Sequence, residues 1–401
     1  MVKKILKCYD YSIVIAIILL CAFGLVMVYS ASMATAVQRY GVPSDFFYQK
    51  QKMWLLCFAI IFLFMAILPY KIMQSKKVLI VFVISSIISL LGLFVFGNIA
   101  GNAESWYKFG SIKIEPAEFV KLAVIIYLSA FYAKKQDYIN QFNKGILPPL
   151  IFLFFICALI LMQPDLGTVI IIALIASTIL LCSGLNLKAL GKLMVILLIV
   201  LIPIIFAAKG FIFTEKRMGR LEVLSNPFAA KYVNGAGFQL ANSFISIGSG
   251  GINGLGLGKS IQKLGYLPES HTDFIMAVIA EELGIWGVGF VIMTIAYIVL
   301  RGIYIGLQCK DPFGSLLAFG ISGLIGIQAF INLAGVSGII PLMGVPLPFI
   351  SYGGSSLLTL AAATGILVNV SMFVNYEKKY KNKTEHKNKK LKQRDGKVYY
   401  L

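Results

Sequence analysis

At 401 residues the chain has room for about two or three soluble domains, but a 59% hydrophobic, 13% charged composition with a mean hydropathy of +0.85 excludes them. Hydrophobic runs of roughly 18–25 residues recur, each long enough to cross a bilayer as a helix and without the period-two alternation of an outer-membrane barrel. The net charge of +19 points first to nucleic acid, and its distribution excludes that partner: ten Lys and Arg crowd between Lys378 and Lys397, the usual cytoplasmic anchor against anionic membrane lipid.

In chain order, Lys3, Lys4 and Lys7 precede a first span over 11–32, too long for the cleaved signal that Ala31-Ser32-Met33-Ala34 imitates. With the N-terminus in the cytoplasm, further spans are predicted near 52–69, 77–97, 116–133, 146–162, 165–184, 193–209, 272–300, 314–335 and 354–375. The expected fold is an all-α integral membrane protein of about ten transmembrane helices. It has a membrane domain over 1–375, a long outer loop over 210–271 and a disordered basic tail over 376–401. Predicted inner loops hold Lys71, Lys76, Lys77, Lys134, Lys135, Lys144, Lys188, Lys192, Arg301 and Lys310; outer loops are poorer, though Arg39, Lys50, Lys52, Lys108 and Lys113 soften the contrast. Both termini then face the cytoplasm. The six cysteines all fall in spans or on the inner side, with no disulfide framework and no metal-binding CxxC pair.

The polar stretches come next. In ESWYKFGSIKIEPAEFVKL, Glu104 to Leu122, Pro116 suits a first helical turn, and Glu118 and Lys121 share a face and can pair. Trp106 is either an interfacial aromatic or a sugar-stacking platform. QPDLGT, Gln163 to Thr168, is a tight turn in which Pro164 starts a helix and Asp165 complements its positive end. In EKRMGRLEVLSNPF, Arg217 and Arg220 lie three apart, a cationic face suited to a phosphate or diphosphate or to a solvated surface.

ISIGSGGINGLGLGKS, Ile245 to Ser260, imitates a nucleotide loop, but the required Gly five residues before Gly258 is Asn253. Its glycines serve close backbone packing or line a cavity. YLPESHTDF, Tyr266 to Phe274, closes the long loop and opens an apolar helix. Ser270, Thr272 and Asp273 are each candidate N-caps, with Glu281 and Glu282 deeper in the run. Asp273 either caps that helix or does chemistry at a membrane mouth. PLMGVPLPFISYGGSS, Pro341 to Ser356, is too broken by Pro and Gly for a regular helix and reads as a re-entrant or outer-face segment bordering a site.

These motifs, in this order, resemble the SEDS family (the FtsW, RodA and SpoVE types), with RMGRLEV, SIQKLGYLPE and the basic tail most like the division type. The resemblance implies a peptidoglycan glycosyltransferase that polymerises lipid II at the outer face of the bacterial cytoplasmic membrane. It also implies a class B penicillin-binding protein as crosslinking partner, with other cell-division membrane proteins. The family's essential Asp falls on Asp273, its Trp on Trp106, and its paired Glu and Lys on Glu118 and Lys121; Ser105 and Glu115 depart from the usual Arg and Gln.

On this reading Asp273, with an ordinary carboxylate pKa near 4, is the general base. Trp106, Lys121, Arg217 and Arg220 bind substrate, the cations holding phosphate charge. Glu118, Asp165, Glu281, Glu282 and Ser351 support. No dedicated metal-ligand cluster is visible; a divalent cation, Mg or Mn, would share the diphosphate charge through ligands that the sequence does not name. The rivals are a lipid II flippase, which needs polar groups along a path across the bilayer, and a non-catalytic division scaffold, which leaves Asp273 unexplained.

Overall fold

The computed structural model describes residues 2–100, 103–110, 112–186, 191–192, 222–224, 227–229, 235 and 237–381. The helices are α1 (Val2–Leu6), α2 (Tyr11–Tyr40), α3 (Phe46–Ile67), α4 (Lys76–Phe96), α5 (Pro116–Lys134), α6 (Leu147–Leu161), α7 (Leu166–Cys182), α8 (Phe238–Gly250), α9 (Ile275–Gln308), α10 (Pro312–Val336) and α11 (Gly354–Tyr376). Eight helices among the described residues are long and apolar enough to span a membrane, and α7 is a shorter apolar helix beside them. The predicted span over 193–209 and most of the tail lie outside the described residues.

Helix starts follow local chemistry. Asp10 caps α2 by accepting from Ser12 N at 3.3 Å, and Ser75 caps α4 through Val78 N at 3.4 Å. Asp311 caps α10 through Gly314 N at 3.3 Å with Pro312 in the first turn, and Pro116 opens α5. Burial then sorts the bundle. In its most apolar stretch α11 is 89% buried and α5 78%, against 17% for α4, so α5, α10 and α11 form the centre and α4 faces outward. Small residues allow this: Ala361, Ala362, Ala363, Thr364 and Gly365 let α11 approach α3 closely.

At the bundle end away from Asp273, Arg301 Nε donates to Asp10 Oδ2 at 2.7 Å, tying α9 to α2. At the Asp273 end, the loop after α4 forms a three-stranded antiparallel patch that helix-based reading missed: β1 (Asn98–Ala100), β2 (Ala103–Phe109) and β3 (Ile112–Ile114). Tyr107 O–H donates to Ser89 O at 2.8 Å and docks the patch on α4. Segment 337–353 carries no regular helix, yet Leu347, Phe349, Ile350 and Ser351 within it are buried. Irregular backbone of this kind is tolerated at membrane depth only inside protein or along a cavity.

Candidate functional site

Asp273 stands in the turn before α9. The helix begins at Ile275 with Phe274 as N-cap and no side-chain capping bond, so the N-cap position expected of Ser270, Thr272 or Asp273 belongs to none of them. Tertiary bonds explain why. Ser270 O–H donates to Ala31 O on α2 at 2.9 Å, and Thr272 O–H to Glu269 Oε2 at 3.1 Å. Glu269 in turn pairs with Arg39 at 3.1 Å.

The turn is also held from the other side. Tyr352 N–H donates to His271 O at 2.9 Å, Ser351 O–H to Thr272 O at 2.6 Å, and the Asn332 amide to Asp273 O at 2.8 Å. The same amide donates to Val345 O at 2.7 Å, and Ser351 Oγ accepts from Leu347 N at 2.9 Å. Facing the carboxylate is Gly344: a Cβ placed there would lie 3.7 Å from Asp273 Oδ2. The 341–353 segment therefore forms one wall of the Asp273 site.

A charged group borders this wall. Lys121 Nζ donates to Glu118 Oε1 at 2.7 Å, both side chains buried on α5, a self-neutralising pair. Glu115 N–H just before α5 donates to Ser355 Oγ on α11 at 2.9 Å. The Glu115 carboxyl is held well above the usual carboxylate range, first by burial and then by the negative charges of Glu118 and Asp165; Lys121 opposes this and Asp273 adds to it. Glu115 thus feels four other ionisable groups here. Asp165 accepts from Thr168 N at 3.1 Å, so it is the N-cap of α7, and that helix starts at Leu166 instead of Pro164. Trp106 lies on β2, half-buried. Arg217 and Arg220 lie outside the described residues.

The glycine loop locks onto α9 instead of a nucleotide. Helix α9 breaks at Gly284 (φ 61°, ψ −153°), which frees carbonyls one turn earlier. Leu255 N–H and Gly256 N–H donate to Glu281 O and Glu282 O, each at 2.9 Å, and Ile285 N–H to Ile252 O at 3.2 Å. Both Glu281 and Glu282 are buried beneath the loop. Glu281 accepts from Ser246 Oγ at 2.7 Å, Ser260 Oγ at 2.5 Å and Ile261 N at 2.8 Å. Glu282 accepts from Lys263 Nζ at 2.6 Å and Ser30 Oγ at 2.7 Å. These two carboxylates anchor the glycine loop to α9 and α2.

Sequence reasoning missed Asn332, Lys263 and His271. A polar amide inside an apolar span was the available signal for Asn332; nothing in SIQKLG announces that Lys263 is buried. Among the described residues no group of three or more His, Cys, Asp or Glu could hold a metal ion.

A family model described as Cell cycle protein, covering FtsW, RodA and SpoVE, matches residues 11–376. The chain is 55% identical over 404 residues to Probable peptidoglycan glycosyltransferase FtsW of Bacillus subtilis (strain 168), covering 100% of both. It is 35% identical to Stage V sporulation protein E of the same organism, over 92% of this chain and 98% of the relative. Among solved structures, a chain of a peptidoglycan synthase complex that coordinates polymerization and crosslinking superposes with a TM-score of 0.71 at 22% identity, covering 90% of this chain and 97% of that one. Thermus thermophilus rod shape determining protein RodA does so at 0.60 and 22%, over 90% and 96%. Those two likenesses carry the fold. With the family's span running through every described transmembrane helix and a full-length relative above half identity, the chain belongs to the FtsW/RodA/SpoVE family of cell cycle proteins.

Proposed function

We propose that this chain is a peptidoglycan glycosyltransferase of the division type, polymerising lipid II into glycan strands at the outer face of the cytoplasmic membrane during septal wall synthesis. The names of its relatives support the activity, and the synthase complex supports a crosslinking partner, read here as a class B penicillin-binding protein. Other division membrane proteins would assemble with it. Both termini would face the cytoplasm, where the basic tail would meet anionic lipid.

The observation that carries the chemistry is Asp273: its carbonyl is tied to Asn332 on α10, the Thr272 carbonyl before it to Ser351, and its carboxylate faces the side-chain-free surface of Gly344. In the reaction a sugar hydroxyl attacks the anomeric carbon of a diphosphate-linked sugar from the face opposite the leaving group. Asp273 takes the hydroxyl proton as the new C–O bond forms. The bond to the diphosphate oxygen breaks and its electron pair leaves with the diphosphate, inverting the centre. Asp165, as a cap, and Glu118, as the partner of Lys121, hold helix ends and charge in place. Lys121 is paired with Glu118, so it approaches a diphosphate as half of a neutral pair, and Arg217 and Arg220 are the proposed diphosphate-binding cations. A divalent cation would arrive with the substrate's diphosphate and screen its charge.

The test is polymerisation of labelled lipid II by the purified chain with its cognate penicillin-binding protein, crosslinking blocked. Wild type should make long strands and a well-folded Asp273→Asn none. Equal polymerisation by both removes Asp273 as base.

A further inference from the structure

The turn His271–Thr272–Asp273 offers three successive carbonyls, and each accepts a hydrogen bond from outside its own helix: from Tyr352 N–H at 2.9 Å, Ser351 O–H at 2.6 Å and the Asn332 amide at 2.8 Å. Because no side chain caps α9, these bonds, more than helix propensity, set the turn's conformation. The Asp273 carboxylate hangs one carbon from a Cα whose own carbonyl Asn332 grips. Any shift of that grip moves the carboxylate by a similar amount.

Asn332 also grips the opposite wall. Its second N–H holds Val345 O at 2.7 Å, the residue after Gly344. Gly344 sits at φ 70°, a left-handed conformation that side chains disfavour, and its bare α-carbon is what the carboxylate faces. One buried amide, 4% exposed, therefore ties together both sides of the gap into which the acceptor hydroxyl must come. Ser351 repeats the design one residue back, accepting from Leu347 N at 2.9 Å while donating to Thr272 O.

We propose that Asn332, assisted by Ser351, is a positioning residue for Asp273: it sets the width of the gap between the Asp273 carboxylate and the Gly344 backbone and thereby the reach of the base to the acceptor hydroxyl. This deepens the reading above and rests on Asp273 being the base. The clamp touches main chain only, so it acts on the geometry of the reacting pair and leaves the lipid-diphosphate contacts alone. Its signature is a loss of turnover with little change in substrate affinity.

The experiment measures kcat and KM for labelled lipid II with wild type, Asn332→Ala, Ser351→Ala and Asp273→Asn, each in complex with the crosslinking-blocked partner. Asn332→Ala is expected to lower kcat by about 10- to 100-fold and Ser351→Ala by less, with KM within about threefold of wild type, since a displacement near 1 Å costs on that order. Wild-type kcat in both variants beside an inactive Asp273→Asn overturns the clamp and leaves the base in place. A fall in kcat matched by an equal rise in KM overturns it too, because general loosening of the fold gives that result. An active Asp273→Asn removes the base, and the positioning role with it. If Asn332→Ala does not copurify with the partner, Ser351→Ala decides by the same criteria, since it removes the two Ser351 hydroxyl bonds of the same clamp and leaves the Asn332 bonds intact.

Discussion

Two titratable groups near Asp273, His271 in its own turn and Glu115 just before α5, are both shifted toward the uncharged form. His271 is 3% exposed, with its ring 4.4 Å from Phe47 and 5.7 Å from Tyr352, centroid to centroid. Burial, with a smaller push from Arg39, lowers its pKa from 6.5 to about 4. Burial and neighbouring carboxylates raise Glu115 in the opposite sense. The linkage signs therefore oppose. The unfolded chain protonates His271 first, so the stability tied to its neutral ring is present above pH 6.5 and lost as pH falls toward about 4. The stability tied to protonated Glu115 is present below about pH 4.5 and lost as pH rises through its raised value. Thermal unfolding scanned against pH checks both. His271→Phe should flatten the acid limb. Glu115→Gln should gain on wild type as pH rises from 4.5 to 8 and match it in acid. A Glu115→Gln offset that is constant with pH means that the carboxyl titrates normally.

The element that organises the Asp273 end of the bundle is α9, and its break is a joint with a second chain segment built into it. At 34 residues and about 1.5 Å per residue, α9 is longer than a hydrocarbon core of ~30 Å requires. The surplus lets its N-terminal turns act as a shelf for the glycine loop. Gly284 and Gly254 meet backbone to backbone there, leaving no room for a Cβ on either. Lys263 and Glu282 then close the shelf at 1% and 0% side-chain exposure. Removing one partner of such a pair strands a charge in a dry site. Lys263→Met should lower stability by about 3–5 kcal/mol, and adding Glu282→Gln should restore part of it. Denaturation of the two variants in the same detergent measures this; a Lys263→Met variant as stable as wild type means that Ser30 and the loop amides suffice. The sequence flagged Glu281 and Glu282 as charges in an apolar run and flagged the glycines as packing devices. It was silent on their partners, because Ser30 lies 252 residues from Glu282 and no local pattern encodes that contact.

At the scale of the whole chain, hydropathy located the spans because the bilayer imposes one length on all of them. Its errors have a common cause: hydropathy stops where hydrocarbon stops, whereas the helix goes on. Thus α2 continues through Gln38 and Arg39 to Tyr40, and α9 past Arg301 to Gln308. The strands β1–β3 were illegible for the reverse reason, being too short for a period to register and held by docking through Tyr107. Asn332 was visible only as a polar residue in an apolar helix, since its partners depend on how α10 meets two distant loops.

What the alternation of spans does predict is sidedness, and sidedness decides whether Asp273 meets a substrate delivered to the outer leaflet. Lys259 in the glycine loop and Lys310 between α9 and α10 are both exposed and lie on opposite ends of α9. In a background lacking the six natural cysteines, Lys259→Cys should react with a membrane-impermeant maleimide on intact cells, and Lys310→Cys only after permeabilisation. Labelling in the reverse order would put Asp273 in the cytoplasm, away from any wall, and polymerisation at the outer face would be untenable however well the site is built.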